Sequence, residues 1–125
     1  MRYDSLGDYF RNGAGTDCIE ILDMGSADHE FAVAVHELVE SFLCRRRGVT
    51  YDQVDAFDFA YTGDGEPGDA PDCPYAKEHL FATKIEAMIV AELGLDWVEY
   101  LKFTDKQGER HGGKTRIEQD DHAAA

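Results

Sequence analysis

The chain has 125 residues, enough for one domain with a real core and too few for two. Hydrophobic residues make up 43% and charged residues 30%, a balance that excludes wholesale disorder. Asp and Glu number 26 against 12 Lys and Arg, a net charge of −14, so direct nucleic-acid binding is not expected, since that mode needs clustered cations. Charge of this sign suits a basic protein partner or metal binding instead. The one basic cluster, Arg45-Arg46-Arg47, falls where a helix should end and complements its dipole. No stretch approaches the roughly 18 apolar residues of a membrane span, and Met1-Arg2-Tyr3-Asp4 lacks the apolar run of a secretory signal. Cys18, Cys44 and Cys73 are odd in number, widely spaced and without a CxxC pair. They indicate neither a disulfide framework nor a cysteine zinc finger, and a cytoplasmic location is expected.

In chain order, Tyr9-Phe10 and Asp17-Cys18-Ile19-Glu20-Ile21-Leu22 flank the turn-prone Arg11 to Gly15 and predict a β-hairpin. Ser26 or Asp28 then caps a long helix. Phe31, Val35, Leu38, Val39 and Phe42 recur at helical spacing and predict its main apolar stripe. Val33, His36, Glu40, Leu43 and Cys44 share another flank, so the helix is expected to be central and packed on more than one side. It should stop near Arg47-Gly48. Thr50 caps a short helix that turns Val54, Phe57 and Tyr61 inward. Residues 62–74, rich in Gly, Asp and Pro, read as a surface loop. Tyr75 to Leu93 predicts a second long helix, with Leu80, Phe81, Ile85, Met88 and Ile89 as its core face and Gly94 as its terminator. Trp97, Tyr100, Leu101 and Phe103 predict one more short helix. The expected architecture is an α+β, mainly helical single domain over residues 1–106. In it a central helix carrying HExxE packs on the second long helix, and a flexible polar tail follows over 107–125.

The chemistry-bearing run is His36-Glu37-Leu38-Val39-Glu40. Residues four apart on a helix project from one face, one turn apart, so an imidazole nitrogen and a carboxylate oxygen can meet one ion at about 2 Å each. Glu37 points aside, where it can handle a proton. A site needs more ligands, and His79 and Glu86 on the second long helix are the candidates, although about 10 Å of helix axis separates them. Glu86 is therefore read either as a ligand or as a partner that orients one. Asp55 and Asp58 are further carboxylates with no fixed place. The same residues, paired as His36–Glu86 or His79–Glu40, also satisfy hydrogen bonds between packed helices without any ion. Cys44 is read as a small core residue, and His29, His111 and His122 as solvated. No P-loop, GxGxxG, GxSxG or His-Cys protease arrangement is present. The 63–68 stretch carries Asp64 and Glu66, the wrong sign to cradle phosphate.

His36-Glu37-Leu38-Val39-Glu40, preceded by the strand at Asp17 to Leu22, resembles the active-site helix of zincin-type metallopeptidases. It departs from that pattern where Glu40 replaces the second histidine, which opens the site to manganese or iron as well as zinc. The run Val35 to Cys44, with Val54 to Asp58, Glu66-Pro67-Gly68-Asp69 and Trp97, is similar to a group of uncharacterised phage and prophage proteins. The zincin likeness implies a small hydrolase in which His36, Glu40 and His79 hold a divalent ion, zinc first, and Glu37 takes a proton from water. The alternative expectation is a non-catalytic acidic protein that engages a basic host protein through the acids of residues 62–72. A third is a metal-stabilised protein without turnover.

Overall fold

In a computed structural model of the chain, which describes residues 5–110, the N-terminal hairpin turns on Asn12 and Gly15. The Asn12 carboxamide oxygen accepts from the backbone N–H groups of Ala14 and Thr16, both at 3.0 Å. Gly15 takes a φ of 81°, a conformation glycine adopts without steric cost. Strands β1 (Gly7–Arg11) and β2 (Asp17–Ile21) pair antiparallel, with Tyr9 opposite Ile19. Both strands lie against α1 (Ala27–Arg47).

The Ser26 hydroxyl caps α1 by accepting from the backbone N–H of His29. Asp28 and Glu30 occupy the first turn and Arg45, Arg46 and Arg47 the last, so both ends are matched to the helix dipole. Gly48, at φ 80°, closes the helix. Thr50 and Gln53 form a reciprocal capping box at the start of α2 (Tyr51–Ala60), which buries Val54 and Asp58. A single 3-10 turn, Pro67–Asp69, precedes α3 (Ala76–Glu92), and α4 (Trp97–Arg110) follows. Helices α1 and α3 form the main packing pair. Contacts Arg47–Glu78, Glu40–His79 and His36–Glu86 run down the two helices in opposite order, so the pair is antiparallel.

Two apolar clusters sit at the two ends of α1. Tyr9, Cys44, Val54, Cys73 and Tyr75 make one, under α2. Met24, Ala32, Val33, Val90 and Tyr100 make the other, where α4 covers the pair. Along α1, His36 and Glu40 come between them, and both are buried.

The α+β, mainly helical domain expected from the sequence is the one found, with a hairpin, four helices among the described residues, and α1 packed on α3. Which faces turn inward differs. Phe31, Leu38 and Phe42 of α1 and Leu80, Phe81 and Met88 of α3, expected in the core, are exposed. Inside instead are Ala32, Val33, His36, Glu40, Ser41 and Cys44 of α1, and Glu78, His79, Ala82 and Val90 of α3. The reason lies in side-chain size and polarity. Ala32 and Ala82 are both fully buried, and the inward His/Glu face leaves the bulky stripe on the opposite side outward. At the C-terminal end, α4 passes the boundary expected at residue 106 and runs to Arg110, burying Gln107. The remainder of the expected tail, with His111 and His122, lies outside the described residues. Among the described residues no helix is long and apolar enough to cross a membrane.

Candidate metal centre

Helical spacing brings His36 and Glu40 together, with Nε2 of His36 3.2 Å from Oε1 of Glu40. The antiparallel neighbour supplies the third group. From the first turn of α3, Nδ1 of His79 stands 2.8 Å from the same Glu40 oxygen. One atom each from His36, Glu40 and His79 thus lies within 4.8 Å of the others, and all three residues are buried. Ligands held about 2.1 Å from an ion at tetrahedral angles stand about 3.4 Å apart, so the 3.2 Å edge is nearly that of a metal site and the 2.8 Å edge needs a small opening.

Each converging group is held from behind. Nδ1 of His36 meets Oε1 of Glu86 at 2.7 Å, and the Tyr100 hydroxyl donates to the other Glu86 oxygen at 2.5 Å. The Tyr9 hydroxyl, from β1, donates to Oε2 of Glu40 at 2.5 Å. Nε2 of His79 faces Oδ1 of Asp69 at 3.1 Å and Oε2 of Glu66 at 3.7 Å. These are ion-pair distances without hydrogen-bond alignment, and the buried Nε2 has no directed acceptor among the described residues. Glu66, Asp69 and His79 form a second cluster of ligand-bearing side chains, its two carboxylates exposed. Gly68 makes this approach possible, because a Cβ there would clash with the His79 ring.

Electrostatics follow from the burial. Burial works against a charged His36, but its hydrogen bonds to Glu40 and Glu86 outweigh that and lift it to about 11. His79 is likewise raised, against the opposing effect of burial, by its Glu40 bond and the Glu40 charge. For Glu40, burial pushes upward while the two imidazole bonds hold it down at about 2. In this network one Glu40 carboxylate oxygen faces both imidazole rings. Burial, then the Glu40 charge, raises the Tyr9 hydroxyl.

Glu37 points aside as expected, and its carboxylate lies against the backbone of Gly7, where a Cβ would come within 2.8 Å of Oε1. Burial and the neighbouring Glu40 charge raise it well above the usual carboxylate range, opposed by the His36 charge.

The expected residues divide as follows. His36, Glu40 and His79 converge, whereas Glu86 stands outside the trio on the far nitrogen of His36. Asp58 is buried and accepts a hydrogen bond from Tyr75, away from the trio. Cys44 is a core residue, its thiol 3.8 Å from the Tyr9 hydroxyl and pushed up to about 12 by burial. His29, expected to be solvated, is half-buried. It bonds Ser26 at 2.6 Å and stacks on Tyr100, because α4 folds back over the start of α1. Sequence reasoning missed Tyr9, Tyr100, Glu66 and Asp69 as site residues. The available signal was Glu66-Pro67-Gly68-Asp69, a turn that presents two acids three residues apart.

Comparison with known proteins finds no matching family model, no similar curated protein and no similar solved structure.

Proposed function

We propose that the protein binds a divalent cation through Nε2 of His36, Oε1 of Glu40 and Nδ1 of His79, and that it is a small metal-dependent hydrolase. The observation that carries this reading is the convergence of three buried donor atoms, with the opposite polar atom of each facing a further side chain. Ligands of functional metal sites are typically braced in this way.

Two imidazoles and one carboxylate suit zinc first, with manganese or iron next. A bound divalent cation supplies Lewis acidity and lowers the pKa of a water molecule beside it. Glu86 holds the His36 ring in position, Tyr9 fixes the Glu40 carboxylate, and Glu37 takes the proton from water and returns it to the leaving group. The exposed Glu66 and Asp69 edge the site.

The test is a pair of variants. His36→Ala is expected to lose the metal. Glu37→Gln is expected to keep it and to lose hydrolysis of carbonyl substrates by about 100-fold or more. Equal metal content in wild type and His36→Ala contradicts the proposal.

A second reading is favoured by one specific observation: the pairs His36–Glu86 and His79–Glu40 already form at 2.7 and 2.8 Å. In it these pairs are internal struts of a non-catalytic acidic protein, and the exposed acids near Glu66 engage a basic partner. Association of that kind weakens with added salt and ignores chelator.

A further inference from the structure

The turn before α3 presents a second set of donors to the outer nitrogen of His79. Glu66 opens and Asp69 ends the Pro67–Asp69 turn, which the Asp69 backbone N–H closes on the Glu66 carbonyl at 3.1 Å. At three residues per turn, side chains three positions apart eclipse one another, so both carboxylates leave the turn on one side. Both approach Nε2 of His79, Oδ1 of Asp69 at 3.1 Å and Oε2 of Glu66 at 3.7 Å. His79 itself is only 5% exposed, and neither oxygen accepts a hydrogen bond from Nε2. The two acids are exposed, so an ion can reach them from solvent.

On the other edge of the ring, the Glu40 carboxylate can only accept, so Nδ1 donates its proton to it at 2.8 Å. The lone pair of the neutral ring is then on Nε2, directed toward two carboxylates. Only a positive charge relieves that opposition, a proton or a cation. A proton sits on the ring axis, and the nearer oxygen, that of Asp69, lies off it. In an octahedral site, a neighbouring oxygen stands at a right angle about the ion, which puts it about 45° off that axis and about 3.0 Å from the nitrogen. The Asp69 contact has that length, and the longer Glu66 contact closes by rotation of an exposed side chain. A histidine that offers one nitrogen to a metal and the other N–H to a carboxylate is the common arrangement of such ligands. One imidazole, two carboxylates and water suit manganese before zinc. We infer that Nε2 of His79, Asp69 and Glu66 form a second cation site, preferring manganese(II), on the solvent side of the buried trio. It does not depend on the trio taking an ion. A neutral ring has one free lone pair, so an ion here and an ion in the trio are alternatives.

Manganese(II) titrated into the full chain, freed of metal by chelator, tests this through the loss of the free-ion electron paramagnetic resonance signal. The wild type is expected to bind the ion, and pulsed spectra should report the nitrogen coupling of a single imidazole. The double variant Glu66→Gln, Asp69→Asn should bind manganese about 10-fold or more weakly. Because both side chains are exposed, its helical circular dichroism should match wild type. Wild type that takes up no manganese, or a double variant that binds it equally well, overturns the inference. So does coupling to two imidazoles, which puts the ion in the trio. Zinc retained by His36→Ala counts against the trio and alters none of these outcomes, so the two readings fail separately.

Discussion

At the scale of single residues, Glu40 decides most of what the centre does. One of its oxygens faces two imidazoles and the other accepts from Tyr9, so its buried carboxylate has a partner on each side. Tyr9→Phe removes one partner and leaves that oxygen unsatisfied. A loss of about 1–3 kcal/mol of folding stability is expected by denaturant melting. Metal affinity, read by competition with a chromophoric chelator, should fall about 10- to 100-fold. The pH dependence of the ion-free protein has a definite sign. His36, raised from 6.5 to about 11, contributes stability that is complete below pH 6.5 and is lost as pH rises toward 11. Glu40, lowered from 4.5 to about 2, contributes stability present above pH 4.5 and lost as pH falls toward 2. From these two groups, the ion-free fold is most stable between about pH 4.5 and 6.5. Metal binding runs the other way, because the rings must give up protons, so its affinity should climb with pH. Melting curves across pH, with and without zinc, read both trends. Equal pH dependence in the two series goes against the expected exchange of protons for metal.

At the scale of elements, Gly68 shows how a turn and a helix are fitted to each other. The Pro67–Asp69 turn lies directly on the His79 ring, and no side chain fits between them. Gly68→Ala is expected to displace the ring, to cost about 1–3 kcal/mol and to weaken metal binding. Glu66 and Asp69 would then lie farther from Nε2 of His79, which a crystal structure of the variant would show. Elements of this kind were legible in the sequence to different degrees. The caps at Ser26 and Thr50, the closing Gly48 and the Asn12–Gly15 turn act within a few residues, and the sequence carries them openly. The helix spacing that joins His36 to Glu40 is equally local. The choice of inward face is not. Phe31, Leu38 and Phe42 read as a core stripe by period alone, whereas Ala32, His36, Glu40 and Cys44 take the inward side. Tyr9, Tyr100 and Asp69 reach the centre from three separate elements, through contacts that no local pattern encodes.

At the scale of the whole molecule, a polar centre lies between two apolar clusters, and large apolar side chains of α1 and α3 are exposed. Such a chain has fewer large side chains inside than its composition allows, and part of its stability is expected to come from what it binds. An ion bound between α1 and α3 should therefore raise the melting temperature. With a net charge of −14, any complex with a basic protein should weaken as salt is added.

The central claim is the cation between His36, Glu40 and His79, and the most direct measurement is the metal content of protein purified without chelator, paired with its melting curve before and after chelation. The protein is expected to carry a divalent transition metal in proportion to the chain, to lose it on chelation, and to melt at a lower temperature until zinc is restored. Protein that carries no such metal, takes up none, and melts identically in all three states contradicts it.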